Sequence, residues 1–280
     1  MLDFSNSKIL IVGDVMLDKY YFGKVDRISP EAPVPIVNIQ KEESRLGGAS
    51  NVANNIVSLG GHSLLCGVIG HDLFGKEIER ISRHKNIDTF LLKTSSPTIT
   101  KARIIGGKQQ IVRVDYEDKS ELNADNKKLF RDTISRILPE YDILVISDYG
   151  KGLISEDLCR YLIKLAHKYD KKVIIDPKGK NWEKYSGADI VTPNVKELSD
   201  IVGYTVPNTD RAIEKAAREA ITNNHLTALL VTRSDKGMSL IGPIPPIHIP
   251  THSEEVFDVS GAGDTVVATL GLCLAAGFEI

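Results

Sequence analysis

Cysteine is scarce in this chain. Cys66, Cys159 and Cys273 are three thiols in 280 residues, far apart and without the Cys or His spacing of a metal site. An odd, scattered set excludes a disulfide framework and a zinc module, and suits a reducing cytosol. An excess of either charge is missing as well: 35 Lys and Arg face 37 Asp and Glu, for a formal net charge of −2. Such a balance gives no field to recruit nucleic acid or an anionic membrane as partner. The opening MLDFSNSKIL lacks a basic segment followed by an apolar core, so no secretory signal is expected. No apolar run is long enough to span a bilayer; TVVATLGLCLAAG, 265–277, is shorter and reads as a buried helix. Internal repeats and low-complexity linkers are absent too. These exclusions leave a globular, cytoplasmic protein large enough for a sizeable core.

What is present alternates between β-rich and helical segments. KILIVGDVML is an apolar run ending in Gly-Asp, the pattern of a buried parallel strand. The stretch from Tyr20 to Gly48 is rich in Pro and charge, and suits exposed strands outside the main sheet. ASNVANNIVSLG predicts a helix stopped by Gly60 and Gly61. Strand and helix patterns then follow in turn through SLLCGVIG, FGKEIERISRH, a helix at 124–138, DILVISD, EDLCRYLIKLAHKY, KKVIID, DIVTPN, ALLVTRS and GMSLIG. TITKARII and QQIVRVDY flank GGK as a hairpin. The expected fold is α/β: one domain over 1–280, with a doubly wound, mostly parallel sheet flanked by helices. A small β lid is expected from segments 15–46 and 98–116.

In such sheets ligands collect at the carboxyl ends of the strands. Polar punctuation falls there at 13–14, 147–152, 176–179, 192–194 and 232–237. One motif is a decoy. GHDLFGKE, 70–77, fits seven positions of a phosphate-binding loop, but Glu77 stands where Ser or Thr must hold Mg²⁺ and Phe74 adds bulk. It reads as a strand-to-helix connection. His248 and His252 are four apart, yet Pro243, Pro245, Pro246 and Pro250 exclude the helix that would align them on a metal.

SGAGD, 260–264, is stronger. Gly261, Ala262 and Gly263 leave backbone N–H groups free to converge on an anion at the start of a helix. Asp264 is there either a cap complementing the helix dipole or a base that takes a proton from a hydroxyl attacking a phosphoryl group. Asp14 and Asp18, with Gly47, Gly48 and Asn51 before the next helix, form a set suited to vicinal hydroxyls; turn glycines and a cap are the plainer reading. Asn194 and Glu197 have capping-box spacing, or orient water around Mg²⁺ beside a phosphate.

Taken together and in this order, RLGGASNVANNIVSLG near the start and DVSGAGDT near the end resemble the ribokinase-type, or pfkB, carbohydrate kinases. The likeness runs from residue 8 onward, with Ser260 where the family usually has Thr. GDVMLDKYYFGKVDRISPEAPVPI, SDYGKG, DPKG and LVTRSDKGM resemble the heptose 7-phosphate kinases within it. The resemblance implies transfer of phosphate from ATP, with Mg²⁺, to the anomeric 1-hydroxyl of D-glycero-D-manno-heptose 7-phosphate for lipopolysaccharide precursor synthesis. It implies Asp264 as base, with Gly261, Ala262 and Gly263 stabilising the transferring group. Asp14, Asp18, Gly47, Gly48 and Asn51 would hold the sugar. Asn194, Lys196 and Glu197 would face ATP and, through Glu197, its metal; Thr232, Ser234 and Gly237 would line the ribose and phosphate side. The 7-phosphate needs cations, for which Arg103, Arg113 and Lys178 are the candidates. The chain stops at Ile280, before the elements that complete the adenine pocket in this family, and a nucleotidyltransferase domain that often follows is not in this sequence. Two alternatives stay open: a kinase for another sugar or nucleoside, and a non-catalytic fragment that binds sugar phosphate or ATP. A dehydrogenase reading fails because the first strand lacks a G-x-G-x-x-G turn. Exposed lid strands imply a homodimer formed through them.

Overall fold

The computed structural model describes residues 2–118, 120–251 and 261–279. The first three residues of DVSGAGDT and His252 lie outside this set. In chain order the elements begin with β1 (Lys8–Gly13), β2 (Val15–Ile28), β3 (Pro35–Gly48), α1 (Ala49–Ser58), β4 (His62–Gly70) and α2 (Leu73–His84). There follow β5 (Asp88–Thr94), β6 (Thr100–Gly106), β7 (Gln109–Tyr116), α3 (Ala124–Ile137), β8 (Ile143–Ser147) and α4 (Glu156–Lys168). The remainder comprises β9 (Lys172–Asp176), β10 (Ile190–Val191), α5 (Val195–Val202), α6 (Asp210–Asn224), β11 (Ala228–Thr232), β12 (Met238–Ile241), β13 (Ile247–Ile249) and α7 (Ala262–Ala275).

Nine described strands form one sheet in the order β13-β12-β11-β10-β9-β8-β1-β4-β5. All neighbours from β11 to β5 run parallel, and the last two pairs are antiparallel. The strands read as unbroken apolar runs because both faces are covered. Leu10, Val12, Leu144, Ile146, Val173 and Ile175 turn to one face, beneath Phe130 of α3, Leu162 of α4, Leu198 of α5 and Ile213 of α6. Their alternates Ile9, Ile11, Val145 and Ile174 turn to the other, beneath Val52 and Ile56 of α1, Ile78 of α2 and Leu272 of α7. This is the mostly parallel α/β sheet that the sequence predicts. It also contains β5, α6 and β13, which the segment reading did not pick out.

The strands expected outside the main sheet form a second one, in the order β3-β2-β6-β7. β2 pairs antiparallel with β3 and parallel with β6, and the hairpin of β6 and β7 closes with Gly106 facing Gln109. The decoy loop is a strand-to-helix connection: Asp72 caps α2 by accepting from the Gly75 N–H at 2.8 Å, and also accepts from the Thr98 backbone N–H at 2.8 Å. His248 is bonded to Ser239 Oγ at 2.8 Å and Glu214 Oε1 at 3.1 Å. Among the described residues no helix is long and apolar enough to cross a membrane.

Candidate active site

The carboxyl ends of β1, β8, β9, β10 and β11 and the first turns of α1 and α7 meet above the sheet. α1 starts after Gly48, whose backbone has φ 56° and lies where a Cβ would be 2.6 Å from the Asp14 carbonyl oxygen. Only glycine fits that left-handed, crowded position. It sets Asn51 in the first turn of α1. Gly261 enters α7 in the same way, with φ 81° and a Cβ position 2.7 Å from Asn51 Nδ2.

Asp264, in the first turn of α7, is 5% exposed. Its Oδ2 accepts from Asn51 Nδ2 at 2.6 Å, and its Oδ1 from the Tyr149 hydroxyl at 2.7 Å. Burial raises its carboxyl above the usual range, while Asn51 and Tyr149 pull it down. Asp264, Tyr149 and Gly261 line two cavities at once.

The larger cavity, about 560 Å³, is also lined by Asp18, Tyr20, Gly47, Gly48 and Asn51, and by a cationic set of Arg45, Lys85, Lys101 and Arg103. Arg103 Nη1 donates to Asp18 Oδ1 at 2.6 Å, and its guanidinium lies 5.1 Å from the Tyr20 ring centroid. Lys101 follows the same face of β6 two residues earlier. Burial pushes its ammonium down, against the pull of Asp18.

The smaller cavity, about 210 Å³, is lined by Asp148, Asp176, Lys178, Thr192, Asn194, Glu197, Thr232 and Gly263. Asn194 and Glu197 do form the capping box of α5, and Glu197 Oε1 also accepts from Lys178 Nζ at 3.0 Å. Burial, then the charges of Asp264 and Glu197, pushes the Asp176 carboxyl well above its ordinary value. This crowding of carboxylates fits a nearby divalent cation. No group of three or more His, Cys, Asp or Glu among the described residues is close enough to hold a metal directly. Glu197 and Asp176 both border this cavity and would serve as outer acceptors for the water around a divalent cation.

Several residues singled out from sequence lie elsewhere. Asp14 is 2% exposed and does not line the larger cavity. Its Oδ2 accepts the backbone N–H groups of Tyr149 and Lys151 at 2.9 and 3.0 Å, so it anchors the loop after β8. Its Oδ1 is buried with no hydrogen-bond partner among the described residues, and the residue borders a separate cavity of about 250 Å³. Burial pushes this carboxyl up to about 6. Arg113 sits on the exposed β7, paired with Asp115 at 2.9 Å, and Lys178 is on the small-cavity side. Of the three cations proposed for a substrate phosphate, Arg103 alone lines the larger cavity. Lys196 is exposed on α5, and Ser234 and Gly237 form the turn between β11 and β12; none of the three lines either cavity. Tyr149, Lys101, Lys85, Arg45 and Asp176 were not singled out. SDYGKG carries the signal for Tyr149: a phenol between Asp and Gly at the end of a buried strand.

A family model described as pfkB family carbohydrate kinase matches residues 6–280. Proteins named bifunctional protein HldE are similar over 98% of this chain: 46% identical in Haemophilus influenzae strain PittEE and 45% in Vibrio vulnificus. The chain spans 57% of the length of these curated relatives. Among solved structures, the tetrameric inhibited form of phosphofructokinase-2 from Escherichia coli superposes with a TM-score of 0.81 at 21% identity, covering 98% of this chain and 88% of that one. Arabidopsis thaliana ribokinase complexed with ribose and ATP superposes with 0.73 at 19%, covering 98% and 87%. At these identities the likeness concerns the fold alone.

Proposed function

Because this chain belongs to the pfkB family of carbohydrate kinases, we propose that it transfers the γ-phosphoryl group of ATP to the anomeric 1-hydroxyl of D-glycero-D-manno-heptose 7-phosphate. The observation that carries this reading is Asp264, buried between two cavities with both oxygens held by donors. The sugar occupies the larger cavity and the nucleotide phosphates the smaller. Asp264 takes the proton from the attacking hydroxyl as its oxygen bonds to the γ-phosphorus and the bond to the bridging oxygen of ADP breaks. The backbone at Gly261, Ala262 and Gly263, at the positive end of α7, faces the charge on the group in transit. Bound Mg²⁺ would neutralise the phosphate oxygens. The cationic face of Lys101, Arg103, Arg45 and Lys85 favours a sugar that already bears a phosphate. Asn51, Gly47, Gly48 and Asp18 border the space for its ring hydroxyls. The small sheet covers this cavity and limits the water that competes as nucleophile.

The likeness to the HldE proteins supports the heptose branch, and the product is then the 1,7-bisphosphate. The test is Mg²⁺-dependent ADP release with heptose 7-phosphate, fructose 6-phosphate, ribose or no sugar. Turnover with the heptose, lost in Asp264→Asn, is expected. Turnover with another of these sugars alone reassigns the substrate. None with any, from a folded protein, leaves a non-catalytic kinase fold.

A further inference from the structure

Tyr149 and Asp264 are the two side chains that line both cavities. The loop carrying Tyr149 is held at three successive backbone N–H groups. Those of Tyr149 and Lys151 donate to Asp14 Oδ2 at 2.9 and 3.0 Å, and that of Gly150 donates to Asp148 Oδ1 at 2.8 Å. Both carboxylates are buried, each 2% exposed. Asp148 is itself held by Lys184 and by the Tyr185 hydroxyl at 2.7 Å. A loop fixed at consecutive positions aims its side chain with little freedom. The phenol ring lies 5.6 Å from Lys101 Nζ on one side, and its hydroxyl reaches Asp264 Oδ1.

We propose that Tyr149 is a positioning residue for phosphoryl transfer: its hydroxyl clamps one oxygen of Asp264 while Asn51 clamps the other, so that the carboxylate keeps a single orientation toward the attacking hydroxyl. Asp14 acts one step further out, by fixing the loop. This inference rests on the reading of Asp264 as base. Each carboxylate oxygen has a second lone pair, so both clamps persist while the substrate hydroxyl approaches.

A donated hydrogen bond stabilises the ionised carboxylate. Tyr149 is pushed far above the ordinary phenol range, mainly by burial and then by Asp176 and Asp264, so it remains a protonated donor at all working pH values. The other charged groups facing Asp264 are Asp18 from β2, which raises its carboxyl, Lys101 from β6, which lowers it, and Asp176 from β9, whose own carboxyl the Asp264 charge pushes up. Taking away the phenol hydroxyl removes a lowering contact and leaves these in place.

Tyr149→Phe keeps the ring and its contact with Lys101 and deletes the clamp. We expect kcat to fall roughly tenfold with little change in KM for either substrate. The acid limb of the kcat/KM profile should move to higher pH, because Asp264 then ionises later. A ¹³C titration of the Asp264 carboxyl in the full chain, without substrates, should show the same upward movement and does not depend on turnover. A plain structural role for a buried phenol predicts lower thermal stability with kcat and both titrations unchanged; that result overturns the inference. A raised sugar KM at unchanged kcat assigns Tyr149 to sugar binding and overturns it too. If Asp264→Asn turns over like the wild type, the base reading fails and the inference with it. An inactive Asp264→Asn beside a Tyr149→Phe variant with wild-type kcat and acid limb overturns this inference alone.

Discussion

A buried carboxylate that keeps its charge is costly unless something compensates, and Asp14 is compensated only in part. Two backbone donors hold Oδ2, Oδ1 has no partner among the described residues, and the carboxyl is pushed up to about 6. A folded-state value above the unfolded one means that proton uptake favours the fold. That contribution is fully present below the unfolded value near 4 and is lost as pH rises through about 6. The span between the two values is worth about 3 kcal/mol. Asp14→Asn cannot ionise, so its unfolding free energy in urea should gain on the wild type by up to that amount between pH 4 and pH 7. A difference that stays flat with pH would mean that Asp14 titrates normally. The same residue shows the limit of reading a site from sequence. Asp14 and Asp18 look equivalent beside a glycine-rich helix start, yet Asp14 lies at the junction of β1 and β2, where it holds the loop after β8, while Asp18 lies within β2 and lines the larger cavity. Asn51 and Asp264 were legible because glycines mark their turns. Tyr149 was legible only as a phenol in SDYGKG at the end of a buried strand; that it meets Asp264, 115 residues away, follows from the fold.

At the scale of elements, the start of α7 permits a separation of stability from chemistry. Gly261 needs its positive φ and abuts Asn51, so replacing it would damage both. Gly263 differs: a Cβ there meets nothing within 4 Å, and the residue sits inside the helix on the wall of the smaller cavity. Gly263→Ala should leave the melting temperature unchanged or raised, since alanine gains up to about 1 kcal/mol over glycine in a helix. Activity should nevertheless fall by roughly tenfold or more, because the added methyl occupies space where a phosphoryl group is expected to sit near the backbone. Wild-type kcat in this variant would remove that turn from the reaction. Elements with strong signals were read directly: β1 and β8, with their runs of Ile, Leu and Val, and α4 after its Ser155 cap. β5 was passed over because it is a half-buried edge strand without clear alternation. α6 buries one Ile and three Ala, a face too small to stand out among its charges.

At the scale of the whole molecule, the small sheet carries a cluster of exposed apolar residues. β7 is exposed along its whole length, and Val112, Val114 and Tyr116, alternate residues on one face, are 45%, 39% and 45% exposed. Val34 and Ile28, near the turn joining β2 to β3, are more exposed still. β3 and β7 are the two edge strands of this sheet among the described residues. An apolar face on a sheet with open edges invites a second copy, and a two-fold arrangement covers both copies with the same surface. We therefore expect a homodimer built through the small sheet. Sedimentation equilibrium at micromolar concentration should give about twice the 30.8 kDa of the chain. Val112→Asp with Val114→Asp should return it to the single-chain mass, since two carboxylates cannot be buried against each other without a large desolvation cost. Neither residue lines the cavities beside Asp264, so this variant separates assembly from the site itself. A wild-type chain that sediments as a monomer at that concentration would leave this apolar face unexplained by self-association and the homodimer refuted.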